Sequence, residues 1–368
     1  MTKKRALILV AVVLVLAALV YLQFREWRRF DWGTFARVTR DLVQGRHLWH
    51  LLTATALIYS TYLLRAVRWK LFLKPVCHAR LRSLVPTQYI GFTGLALLGR
   101  PGELIRPYLI ARKENLTVSS QMAVWTVERI FDIGAFGALV SVDIFVFGDR
   151  LPRLPVSAFG HRLPGSVLEW LAAVLLAAVA VMGIGAYYVR RNGSWFADAI
   201  ERRLAPVSPK LSGSVCQKIR SFGEGLNTIK DTASFLQIAL VSLAIWFVIA
   251  LAYRHVLHAY SQPVLGEMQV PEVLLLMAAS MVGSLIQLPA VGGGSQLAVI
   301  SMLSSPEWFG VPRELAVSAG MLLWLVTFMA VIPAGLALAH HEHVSLRKFG
   351  DEGESVRPAA PVAVQDFR

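Results

Sequence analysis

Runs of about 20 apolar residues recur along this chain, each bounded by short polar or basic segments, and that is the length a helix needs to cross a bilayer core. They fall near 48–70, 119–147, 167–189, 233–256 and 314–339, with a first run at 6–24 directly after Lys3, Lys4 and Arg5. The first run resembles a signal peptide at its start. It is long, however, and no small-residue cleavage site follows, so the pattern predicts an uncleaved anchor. Six crossings place both termini on one side.

Two more apolar stretches are interrupted by Gly and Pro: GFTGLALLGRPGELIR over 91–106 and GSLIQLPAVGGGSQLA over 283–298. Each restarts beside a polar residue, Glu103 in one and Gln296 in the other. Open backbone in lipid is tolerated only where protein or a watery cavity surrounds it. Interrupted segments in matching positions of two halves point to a transporter-type binding site. The pattern therefore predicts broken hairpins at 83–112 and 271–304. Two kinked full spans are the alternative, giving eight crossings and leaving the termini where they were.

The expected fold class is all-α: a polytopic integral membrane protein of six to eight transmembrane helices with two glycine-broken hairpins. A first membrane unit covers 48–189, including an extra span at 167–189, and a second covers 233–339. With the hairpins between their spans, the two units run in opposite directions, which predicts an inverted repeat. Residues 1–47 form the anchor and a loop in which Trp27, Phe30, Trp32 and Phe35 alternate with arginines, as in an amphipathic helix lying on the outer membrane surface. Residues 190–232 read as a basic cytoplasmic linker, and 340–368 as a disordered cytoplasmic tail.

Composition agrees with this reading and adds an orientation. Hydrophobic residues make up 55% and charged residues 16% of the 368, against about 25% charged in soluble proteins. The net charge is +14, and 24 of the 37 Lys and Arg fall on the side of the termini against 11 on the other, leaving Arg100 and Arg129 at membrane depth. That bias places both termini in the cytoplasm of a cell whose inner membrane holds the chain. The cations sit in short loops between spans and no reader motif accompanies them, so nucleic acid is not an expected partner; membrane lipids are. Cys77 and Cys216 both fall on the cytoplasmic side, where a structural disulfide is not expected. His340, His341 and His343 have no partner cluster, so no metal and no cofactor is expected. No nucleophile or nucleotide motif supports a catalytic set.

Charges inside spans cost roughly 2.5–3.5 kcal/mol each on insertion scales, so each needs a partner or a task. Glu103 and Arg106 stand at the first break; Glu128, Arg129 and Asp132 follow in the next span. On a helix Glu128 and Asp132 share a face, and Arg129 reaches Asp132 one turn on. A helix restarting near Pro101 also points free N–H groups into this region. One reading has Arg106 and Arg129 hold a phosphate while Glu103, Glu128 and Asp132 balance or gate it. The other has Pro101 and Glu103 as ordinary helix-start chemistry and Arg129–Asp132 as a structural ion pair. In the second half Gly292, Gly293 and Gly294 leave backbone N–H groups open for an anion, or simply make a tight turn, and Gln296 mirrors Glu103. Arg65, Arg68 and Trp69 are expected at headgroup level as snorkelling anchors, with direct contact to substrate as the alternative. Asp143, near the outer end of its span, is expected to be solvated.

At these residues the chain resembles the flippase-like proteins related to the transmembrane region of lysylphosphatidylglycerol synthases. The resemblance is carried by Arg65, Arg68 and Trp69, by Gly99, Gly102, Glu103 and Arg106, by Glu128, Arg129 and Asp132, and by Pro289, Gly292 and Gln296. The family's late glycine motif usually has Glu where this chain has Gln296. The resemblance implies translocation of a membrane lipid, with phospholipid, polyprenyl-linked and hopanoid substrates all open. It does not imply aminoacyl-lipid synthesis, which in that family belongs to a large soluble C-terminal domain; about 28 residues follow the last span here. A scaffold partnering a lipid-modifying membrane enzyme is the alternative, and an intramembrane enzyme on a lipid-linked substrate a third. Oligomeric state is not legible.

Overall fold

A computed structural model of the protein describes residues 32–42, 45–147, 156–158, 161–163, scattered positions within 173–181, 232–284 and 293–342. The anchor at 6–24, most of the span at 167–189, the linker at 190–231, Gly292 and the tail beyond 342 lie outside the described residues. Eleven helices can be numbered in chain order: α1 Trp32–Leu42, α2 Gly45–Leu73, α3 Leu81–Leu98, α4 Ile105–Lys113, α5 Val118–Phe147, α6 Thr232–His258, α7 Pro263–Gly266, α8 Val270–Gly283, α9 Gly293–Ser304, α10 Arg313–Trp324 and α11 Val331–His341. The polytopic all-α expectation holds, with one small addition: an antiparallel ribbon pairs Val156–Ala158 with His161–Leu163.

Among the described residues, three helical runs are long and apolar enough to cross a membrane: α5, α6, and the run Arg313–His341 through α10 and α11. Helix α2 has 29 residues, about 43 Å at the ~1.5 Å rise per residue. It is less apolar because its inward stripe includes Thr61, Arg65 and Arg68. Ala54, Ile58, Thr61, Tyr62, Arg65, Arg68, Trp69 and Phe72 are all buried, at the three-to-four-residue spacing of one helix face. The stripe of α5 repeats the pattern with Gln121, Val124, Glu128, Asp132, Phe136 and Val140. Both stripes face α6, which packs along each of them. The hydrophobic core spreads from there through α8, α9 and α10.

Helix α3 ends at Gly99, whose φ of 70° is a left-handed conformation that residues with a side chain rarely adopt. A 3-10 turn over Arg100–Leu104 carries Pro101 at its start, and α4 then returns beside α3. The return is close. A Cβ on Gly91 would lie 2.6 Å from the Cβ of Arg106. Gly91→Leu is therefore expected to push α4 away and lower stability in detergent by at least ~1–3 kcal/mol, with Gly91→Ala milder; melting temperatures of the two variants check this.

The arms on either side of the second break also approach closely. Arms α8 and α9 touch backbone to backbone, because a Cβ on Gly283 would run into the Gly294 carbonyl and stand 2.8 Å from the Cβ of Ala298. Beyond it, α10 passes into a π-turn over Leu325–Met329 before α11 begins. Pro333 lacks the N–H that would complete the ladder here. Two hydroxyls from other helices also donate to carbonyls at the start of α11, Tyr59 to Ala330 at 2.6 Å and Thr93 to Val331 at 3.2 Å.

A buried arginine–carboxylate cluster beside two polar cavities

Helix α5 supplies the two acids of the site. Glu128 and Asp132 lie one turn apart on its buried stripe, 0% and 3% exposed. Removing two carboxylates from water is costly unless cations and hydrogen bonds meet them, and four arginines do so. Arg68 of α2 donates to Glu128 at 2.5 Å, to Asp132 at 2.7 Å and to the Ser242 hydroxyl of α6 at 2.9 Å. Arg106 of α4 forms a two-pronged pair with Glu128 and also donates to Gln88 of α3 at 3.2 Å. Arg65 and Arg129 are held more loosely, with Asp132 at 3.7 and 3.5 Å. The cluster thus fastens α2, α3, α4, α5 and α6 to one another.

Aromatic faces fill the remaining sides of the guanidiniums. Arg106 stands over Trp69 at 4.7 Å and over Phe92 at 5.0 Å, and Arg65 covers Phe92 at 4.9 Å. The indole N–H of Trp69 donates to Gln121 at 3.1 Å. Four guanidiniums face two carboxylates in the cluster. Glu103, half-buried in the 3-10 turn, acts on Arg129 from further off. Positive charge remains in excess.

The snorkelling expected for Arg65, Arg68 and Trp69 is not observed: their side chains turn into the protein. They are 8%, 0% and 0% exposed. Their helix face is the one turned to α5, and two buried carboxylates draw the guanidiniums inward rather than toward water. Asp143 is also not solvated: it is 4% exposed, and one carboxylate oxygen has no hydrogen-bond partner among the described residues. Arg129 lies near Asp132 at i,i+3 as its spacing predicts, but its side chain is 37% exposed. Arg106, expected to receive a phosphate, is instead closed by Glu128, Gln88 and two rings. Arg68 is the residue that joins both acids, and its role was hidden by its place at the end of an apolar run. The missing signal was arithmetic: three carboxylates, Glu103, Glu128 and Asp132, outnumber Arg106 and Arg129.

One cavity lies beside the cluster, and a second adjoins the first. One, of about 190 Å³, is lined by Arg65, Thr61, Tyr62, Phe92 and, on its far wall, Tyr253, Thr327 and Phe328. The other, of about 170 Å³, shares that wall and opens against Ser280, Ser284, Ser295 and Gln296. The shared residues Thr327 and Phe328 belong to the π-turn, a feature that recurs at functional sites. Gln296 therefore faces a cavity, one that adjoins the one holding Arg65. Gly293 and Gly294 open α9 beside it and are partly buried.

No curated protein and no solved structure matches the chain. The profile of one family, described as lysylphosphatidylglycerol synthase TM region, matches residues 8–335 and so takes in the cluster, both breaks and both cavities. This is a membrane protein related to lipid handling, and the chain belongs to the lysylphosphatidylglycerol synthase TM region family.

Proposed function

We propose that the protein translocates a lipid across the cell's inner membrane, with both termini in the cytoplasm and the two broken hairpins forming an inverted repeat about the site. The observation that carries the reading is the excess of arginine over carboxylate at the buried cluster, next to a cavity lined by Arg65. A membrane protein keeps charge at depth for a task or for a partner. Here Arg68 and Arg106 have partners, while Arg65 and Arg129 retain capacity for a further anion. A lipid phosphate meets that need, entering while its acyl chains stay in the bilayer. The phosphate clamp is accordingly moved from Arg106 to Arg65, with Arg129 at the rim.

In this reading the chain makes no covalent change to its lipid. The two cavities and the π-turn between them supply a route for the headgroup, and exposure would alternate between the two membrane faces. The scaffold reading has one observation in its favour: Arg68 and Arg106 are fully engaged with carboxylates, as a purely structural lock would have them. Reconstitution separates the two. Vesicles holding the purified chain should exchange a fluorescent anionic phospholipid between leaflets faster than protein-free vesicles, whereas a scaffold would leave the rate unchanged.

A further inference from the structure

The two cavities differ in charge, and the difference specifies a headgroup. In the first, Arg65 is the only side chain with a full charge among the described lining residues. Its side chain is 9% exposed, and the nearest carboxylate oxygen stands 3.7 Å away. Its buried Nη1 has no hydrogen-bond partner among the described residues. A buried guanidinium N–H left in this way favours an acceptor carrying negative charge. The second cavity is uncharged, with hydroxyls and an amide set among apolar walls that include Val299, Leu323 and Trp324. Ser280, Ser284, Ser295 and Gln296 line it, with Tyr253 and Thr327 on the shared wall, and no Asp, Glu, Lys or Arg is among its described lining residues.

We infer that the paired cavities take the headgroup of an anionic lipid phosphodiester whose terminal group is uncharged and rich in hydroxyls. The phosphate lies at Arg65 beside Tyr62 and Thr61. The hydroxyls reach past Tyr253 and Thr327 to the serines and Gln296. Hydroxyls and amides both donate and accept, so each hydroxyl of the cargo finds a neutral partner. An ammonium in the same place would lose its water and meet no counter-charge, a penalty of several kcal/mol per buried ion. Lipids with ethanolamine or aminoacyl ends are disfavoured on that ground. The assignment deepens the translocator reading and rests on it. The shared chemistry fits two sources, a glycerol-ended phospholipid or a polyprenyl phosphosugar.

The test is binding by the purified full chain in detergent, read as the rise in melting temperature with added lipid. Phosphatidylglycerol, a polyprenyl phosphohexose and phosphatidylethanolamine are titrated against wild type and Gln296→Glu. We expect one of the first two to bind wild type at least ten-fold more tightly than phosphatidylethanolamine, and the stronger of the two identifies the source. In Gln296→Glu the carboxylate supplies the missing counter-charge, and the ratio should move toward phosphatidylethanolamine by ten-fold or more. Equal affinity for all three, no binding of either hydroxylated lipid, or a ratio unmoved by Gln296→Glu overturns the assignment. Selective binding without leaflet exchange in vesicles would sink the translocator reading alone, and exchange without selectivity the headgroup assignment alone.

Discussion

Arg68→Leu is expected to cost the protein about 3–5 kcal/mol, the range for removing one partner of a buried ion pair. Arg68 is fully buried and donates to both Glu128 and Asp132 as well as to Ser242. Without it, Asp132 keeps only Arg65 and Arg129, neither within hydrogen-bond distance. Glu128 keeps Arg106, so the damage should concentrate on Asp132. That predicts a rescue. Arg68→Leu with Asp132→Asn removes the stranded charge and should recover at least 1–2 kcal/mol of the loss through the coupling expected between contacting residues. Thermal unfolding in detergent of both single variants and the double variant measures the coupling directly. Additive losses would mean that the pair contributes nothing specific to folding.

Arg65→Gln should behave in the opposite way, sparing the fold and removing movement of lipid. Its contact with Asp132 is 3.7 Å long, so its loss leaves no acid without a hydrogen-bonded cation, Arg68 still holding Asp132 at 2.7 Å. A hydrogen bond to a charged group contributes about 1.5–3 kcal/mol, so an anionic cargo that relies on Arg65 should move roughly 10- to 100-fold more slowly. Arg65→Lys keeps the charge but loses the planar fork, and an intermediate rate is expected. The contrast between Arg68, which holds the helices, and Arg65, which faces a cavity, is what separates structure from function within one cluster.

Much of the fold was legible because apolar periodicity is a strong signal in membrane helices. The spans at 48–70, 119–147, 233–256 and 314–339, the interruption at Gly99 and the helix end at Gly283 all coincide with described elements. The acids were legible too, since Glu128 and Asp132 sit at i,i+4 in an otherwise apolar run. Their partners were not. Arg65 and Arg68 stand at the end of their apolar run, where snorkelling is the common fate of an arginine, and only the packing of α2 against α5 and α6 turns them inward. Nor could spacing reveal the cavities, because Tyr253, Thr327 and Gln296 come together from three distant segments around a π-turn. Asp143 shows the same limit: a position near a helix end reads as wet until α8 is seen packed against α5.

The decisive measurement sets wild type and Arg65→Gln side by side in vesicles made from one lipid preparation, following a fluorescent phosphatidylglycerol between leaflets. Melting temperatures of both proteins are recorded before reconstitution. Lipid translocation through the Arg65 cavity predicts exchange well above protein-free vesicles for wild type and at least a ten-fold drop for Arg65→Gln at a similar melting temperature. Exchange that is equally fast in both proteins, or absent from folded wild type, would contradict it.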